Sequence, residues 1–495
     1  MKSTIAIIGS GFSSLAAACY MAKAGYKVTV YEKNKDLGGR ARHFTYEGFT
    51  FDMGPTWYWM PDVFERFFGD FGKKPSDYYQ LERLSPGYRV YFGENDAIDV
   101  AADFNQIVET FESVEPGAGK ELQKFIHKAG KNYDVAIKNL VYKPGLSPLE
   151  LVSKETITEL KQFYLTISDY VKKHFKDSRL QQILEFPVLF LGAKPSNTPL
   201  FYSFMNYADL YLGTWYAKGG MASVVKGMVD LALELGVTFE KEANVSAINV
   251  DEKGKVSSIY VNEEIIPVKN LISGADYKHS ESLLPEELRG YTDSFWNKKI
   301  MAPSSLLFYV GFDKKLENVL HHTLFFDTSF DDHAVSIYDD PAWPEKPLFY
   351  ASFPSMTDET VAPLGKEAAI FLIPLAPDLE DTEELREKYF QIILTRLEKL
   401  TNQTLHNHII FKKSYCVQDF KDDYNSFKGN AYGMANTLFQ TAFLRPKLKS
   451  KKVKNLYFTG QLTVPGPGVP PSLISGKLVS EIVTKQNKLH HESVV

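Results

Sequence analysis

The feature that most constrains the fold is a short apolar run, Thr4-Ile5-Ala6-Ile7-Ile8, that ends in glycine and passes at once into Gly9-Ser10-Gly11-Phe12-Ser13-Ser14. A glycine pattern by itself is weak. Between a strand and a helix it marks a turn where main chain approaches a pyrophosphate. Residues 13–24 are alanine-rich and helical in composition, and residues 26–31 read as a second strand. The result is a βαβ unit. Gly9 allows the tight turn, Gly11 lets the backbone approach the phosphates, and the helix start supplies free N–H donors and a positive dipole end. Ser14 stands where a third glycine or alanine is usual and is still small enough for close helix–strand packing. Glu32 ends the second strand and is the carboxylate expected to hold the adenosine ribose hydroxyls.

A chain of 495 residues exceeds what one core usually organises, so two interlocked domains are expected. Short strands are predicted within 44–52, a helix over 62–71, and amphipathic helices from about 105 to 186, broken at Pro116, Pro144 and Pro148. A helix then runs to Leu235, followed by a strand at 237–240 and a hairpin over 245–261 turning at Lys253-Gly254. Residues 296–411 alternate apolar strands with proline-bearing turns, which suits a mostly antiparallel sheet, and residues 300–312 read as a buried strand. The expected fold class is therefore α/β. A discontinuous Rossmann-type domain comprises 1–75, 210–290 and 440–495, and an inserted α+β substrate domain comprises 76–209 and 291–439, with helices and a mostly antiparallel sheet.

What distinguishes FAD from NAD is the next segment. Leu37-Gly38-Gly39-Arg40-Ala41-Arg42 resembles the GG motif of the flavin oxidoreductases that include amine oxidases and carotenoid desaturases. Two glycines let main chain pass close to the cofactor, and Arg40 or Arg42 offers a planar fork of donors to an anionic oxygen. Near the C-terminus a strand at 455–460 runs into a loop rich in proline and glycine and then a helix. That segment resembles the closing motif of bacterial phytoene desaturases. Phe49 to Pro55, Leu212 to Met221, His321-His322-Thr323, Pro354 to Asp358 and Gly429 to Gly433 resemble the same family. The resemblance implies FAD, desaturation of 15-cis-phytoene towards lycopene, a carotenoid substrate, and peripheral attachment to a membrane surface. It also implies that Val245 lies beside the adenine, that Ser273-Gly274-Ala275-Asp276 borders the cofactor domain, and that Gly460, Gly468, Val469 and Pro470 meet the flavin. Such a helix end stabilises negative charge on a reduced flavin. A hydroxycarotenoid 3,4-desaturase, a carotenoid isomerase and a non-catalytic carotenoid-binding flavoprotein are the alternatives. Quinone and oxygen are both expected as electron acceptors.

Catalytic candidates are fewer. Some relatives carry an acid followed three residues later by arginine; the corresponding positions are Glu150 and Ser153, so the arginine is missing. Glu185 and Asp209 stand among aromatics, as tunnel carboxylates or as structural acids. His321 and His322 are adjacent on a strand, so at most one can line a given site. No set of ligands has metal-site spacing. Aromatic residues make up 14% of the chain and are dense in 57–71 and 186–216, as core or as an apolar tunnel wall. The basic run from Arg445 to Lys454 is either a solvated loop or a contact for anionic headgroups. A net charge of −5 argues against a nucleic-acid binder. Two distant cysteines, Cys19 and Cys416, suit a reducing compartment. With no signal peptide or spanning segment read in the sequence, the expected location is cytoplasmic, at the inner face of the cell membrane.

Overall fold

The structure is a computed structural model and describes residues 4–152 and 161–492. The βαβ unit forms where the glycine pattern places it: Thr4–Ile8, helix Phe12–Lys23 and Lys27–Tyr31. These two strands belong to a parallel sheet of five, in the order Leu456–Phe458, Leu271–Ser273, Thr4–Ile8, Lys27–Tyr31, Thr238–Glu240. The sheet thus gathers strands from widely separated parts of the chain. Thr4–Ile8 is apolar after its exposed first residue because helices cover the sheet, and its other four residues are buried. The first helix packs on the C-terminal helix Val469–Glu492 so closely that a methyl built on Gly476 would lie 2.4 Å from the Ser13 carbonyl oxygen.

A second sheet of seven strands is antiparallel except where His322–Phe325 runs parallel to Tyr88–Gly93. Two of its strands, Tyr88–Gly93 and Asp96–Val100, come from the first inserted segment and the others from the second. Ser304–Phe312, second from one edge of this sheet and flanked by strands on both sides, is buried at all nine positions. The strand predicted over 300–312 starts four residues later than expected. Pro303 has no N–H to join a ladder, Ala302 donates instead to the Gly433 carbonyl, and Ile300 is 50% exposed. Cys416 is a buried member of this sheet's core.

The expected hairpin is present as Val245–Val250 and Val256–Val261, joined by a turn in which Gly254 has φ +72°. The helical insertion includes Phe104–Val114, Ala118–Val135, Ile167–His174 and Ser178–Glu185, with a π-helical turn at Ala136–Leu140. Among the described residues no helix is long and apolar enough to cross a membrane.

Candidate active site

A cavity of about 800 Å³ joins the two sheets' territories. The glycine turn forms part of its wall through Gly9, Ser10 and Gly11. Gly11 has φ −67° and ψ 172°, and nothing lies within 4 Å of a methyl built on it, so the space in front of this backbone is open. Gly38-Gly39 folds back on the same turn. Gly38 pairs with Gly11 across an isolated bridge, and a methyl on Gly39 would lie 3.1 Å from the Gly11 Cα. Only glycine tolerates that approach at the observed φ of +57°.

Glu32 is 4% exposed and lines the cavity. One of its oxygens accepts from the Ser10 backbone N–H at 2.9 Å and the Ser10 hydroxyl at 2.7 Å; the other accepts from the Asn34 N–H at 2.9 Å. These bonds lock the carboxylate in one orientation at the strand end. In the sequence Ser10 carries no signal beyond the small size of a serine between two glycines. Val245 lines the wall close by, together with Ala243 and Asn244.

The two arginines of the GG segment diverge. Arg40 faces the cavity, donates to the Ser426 hydroxyl at 3.0 Å and the Asn430 carbonyl at 3.4 Å, and keeps a buried Nε with no partner. Arg42 turns away to pair with Asp423 at 2.5 Å and does not reach the wall. Ser14 does not line the cavity either; it packs against Gly274, where a methyl would lie 2.0 Å from its Oγ. Gly274, Ala275 and Asp276 do border the space. Gly460, Gly468, Val469 and Pro470 line it as well, which brings the start of the last helix to the site.

The aromatic-dense segments divide between two roles. Phe64, Phe67 and Phe68 are core, whereas Trp57, Trp59, Phe186, Phe190, Phe201 and Phe204 form cavity wall. The wall emerges at the surface, since lining residues Phe439 and Leu444 are 79% and 39% exposed.

The acid candidates fare differently. Glu150 lines the cavity, but its carboxylate accepts from the Gly145 and Leu146 N–H groups and so holds the local loop. Ser153 lies outside the described residues. Asp209 is buried against Tyr88, whose hydroxyl donates to it at 2.8 Å, and it does not line the cavity. Burial raises its pKa to about 7. Glu185 is likewise buried and off the wall. His321 and His322 also sit behind the wall. His321 shares a hydrogen bond with Thr357, and His322 stacks on Trp57 at 4.1 Å and shares one with Tyr350. Burial keeps both imidazoles neutral. No group of three or more potential metal ligands occurs among the described residues.

The sequence pattern described as flavin containing amine oxidoreductase matches residues 12–484. A carotenoid 3,4-desaturase of Haloarcula japonica is 41% identical over 481 residues, covering 96% of this chain and 97% of that protein. A 4,4'-diapophytoene desaturase (4,4'-diaponeurosporene-forming) of Staphylococcus haemolyticus is 31% identical, covering 96% and 98%. Among solved structures, an oxidoreductase from Methanosarcina mazei superposes with a TM-score of 0.64 at 16% identity, covering 97% of this chain and all of that one. Cyclohexylamine oxidase from Brevibacterium oxydans superposes with a TM-score of 0.60 at 14% identity, covering 99% and 100%. The cofactor is FAD, and the cavity fits it: open space over Gly11, a fixed acceptor at Glu32, and an unpaired buried donor on Arg40. With a family match over nearly the whole chain and a full-length relative at 41% identity, this chain belongs to the flavin containing amine oxidoreductase family.

Proposed function

We propose that the protein is a carotenoid desaturase that uses FAD to remove two hydrogens from a polyene chain. The observation that carries this reading is the continuity of the cavity, in which the glycine turn and a long aromatic wall share one space. Bound flavin supplies the hydride acceptor. The chain's own part is to exclude water with Trp57, Phe186 and Phe190 and to hold an extended apolar substrate along them. Likeness to a relative named carotenoid 3,4-desaturase favours reaction near one end of the carotenoid. Conversion of phytoene towards lycopene, implied by the sequence resemblance, is the second reading. Pigment analysis in cells supplied with either phytoene or a longer, hydroxylated carotenoid separates the two. A red-shifted product is expected from the second substrate, whereas one from phytoene alone shifts the assignment to the phytoene reading. No new conjugation and no anaerobic flavin bleaching with either substrate leaves only a carotenoid-binding role. Quinone or oxygen is the acceptor we propose for reoxidation.

The proposed substrate dissolves in membranes, and we propose that the protein attaches peripherally to the inner membrane face. Supporting this, Leu146, Leu149 and Val152 are 64%, 76% and 58% exposed, on a segment whose Gly145 abuts Ala442 near exposed Phe439 and Leu444. Lys447 ties the two segments together through the Gly145 and Phe443 carbonyls. Replacing Leu149 and Phe439 by serine is expected to abolish flotation with liposomes at high salt, because apolar insertion resists screening. Undiminished flotation of that variant discards the patch.

A further inference from the structure

The basic run opens with a residue that is not at the surface. Arg445 is 2% exposed, and among the described residues no carboxylate pairs with its guanidinium. Its donors go to neutral oxygens instead: the Gln461 carbonyl at 3.1 Å, the Met434 carbonyl at 2.7 Å and the Asn436 side-chain oxygen. Its Nε has no partner at all. Burial without a counter-ion lowers its pKa to about 10, which leaves it fully charged near neutrality. Buried cations normally sit against an anion. Here two of its partners, Asn436 and Gln461, line the cavity, so the guanidinium sits one residue behind that wall. A methyl built on Gly466 would lie 3.2 Å from Arg445 Nη2, which puts the guanidinium directly behind the loop whose Pro465, Pro467 and Gly468 form cavity wall.

The start of the last helix has few N–H donors free to bond a flavin directly, so that end acts chiefly through its dipole. Its first turn contains Pro470 and Pro471, which have no N–H, and the Ser472 N–H is used by the Gly468 carbonyl.

We infer that Arg445 is an electrostatic positioning residue: its buried charge stabilises the negative charge that FAD acquires on reduction, and so raises the cofactor's affinity for a hydride. The inference rests on the desaturase reading only for the source of that hydride. In that reaction one C–H bond would give its hydrogen and both electrons to the flavin, the neighbouring carbon would release its proton to solvent, the electrons of that second C–H bond would form the C=C bond, and the reduced cofactor would carry the extra negative charge. The counter-charge to that anion is what the buried guanidinium supplies.

The test needs no carotenoid. FAD-loaded wild-type protein, Arg445→Met and Arg445→Lys are compared by the midpoint potential from dye-coupled reduction and by affinity for sulfite, whose adduct places negative charge on the flavin. Arg445→Met is expected to bind sulfite at least tenfold more weakly. Its two-electron potential should fall by about 30 mV for each tenfold loss of reduced-state stabilisation. Arg445→Lys should recover most of both, which a purely structural role would not require. If Arg445→Met does not retain FAD, Arg445→Lys and the wild type still decide. A wild-type flavin with no measurable sulfite affinity, or Arg445→Met with wild-type potential and sulfite affinity, overturns the inference. Failure of carotenoids to reduce the flavin would leave these readings untouched and would instead overturn the desaturase assignment.

Discussion

Gly11→Val is expected to yield a folded protein that emerges from purification without flavin, with FAD affinity reduced about 100-fold or more, equivalent to roughly 2.8 kcal/mol. The backbone at Gly11 lies in the extended region at φ −67° and ψ 172°, where a β-branched residue is unstrained. A Cβ there meets no protein atom within 4 Å, so the side chain has room to enter without displacing the neighbouring backbone. The space it enters is the open front of the glycine turn, where the pyrophosphate must approach main chain. Flavin absorbance per mole of protein and the melting temperature of the apoprotein form the two readouts. Stoichiometric flavin in the variant would show that the pyrophosphate lies elsewhere.

Gly476→Val should do the opposite and damage the fold itself. A Cβ at this position would lie 2.4 Å from the Ser13 carbonyl oxygen, 2.7 Å from the Ala16 Cβ and 2.8 Å from the Ala17 nitrogen. Two of these three are backbone atoms, and no rotamer change relieves them. The first and last helices must therefore separate, at a cost of about 3 kcal/mol or more. Because the first helix carries the glycine turn at its start, loss of flavin should accompany the loss of stability rather than precede it. Urea unfolding of the apoproteins measures the difference. A change below about 1 kcal/mol would mean that the helices slide past one another at little cost.

Much of this site is legible in the sequence. The glycine turn, Glu32 and the Gly38-Gly39 segment are local chemistry: a tight turn, a close backbone approach and a strand-end carboxylate each demand particular residues at fixed spacing. Gly460, Gly468, Val469 and Pro470 were identified by resemblance, and all four line the cavity. Side-chain direction was not legible. Arg40 and Arg42 are two residues apart and chemically identical, yet one faces the cavity and the other is drawn off by Asp423, nearly 400 positions away.

The basic run is the clearest contrast. As sequence, Arg445 to Lys454 offered a solvated loop or a headgroup contact, because charge density is all that one dimension displays. In the folded chain Arg445 is buried while Lys447 bridges Gly145 and Phe443, Lys452 bonds the Glu287 carbonyl and Lys454 the Lys253 carbonyl. Asp209, set among aromatics in the sequence, and the two histidines, singled out by resemblance, likewise lie behind the wall, since which face of an element meets a cavity depends on partners distant in the chain. The sequence by itself determined the βαβ unit, its cofactor chemistry and the α/β class, because those rest on short-range backbone sterics and hydrogen bonding. Only the tertiary structure decided which aromatics became cavity wall, which acids were sealed away and which cation was buried beside the cavity, because burial is set by contacts between segments hundreds of residues apart.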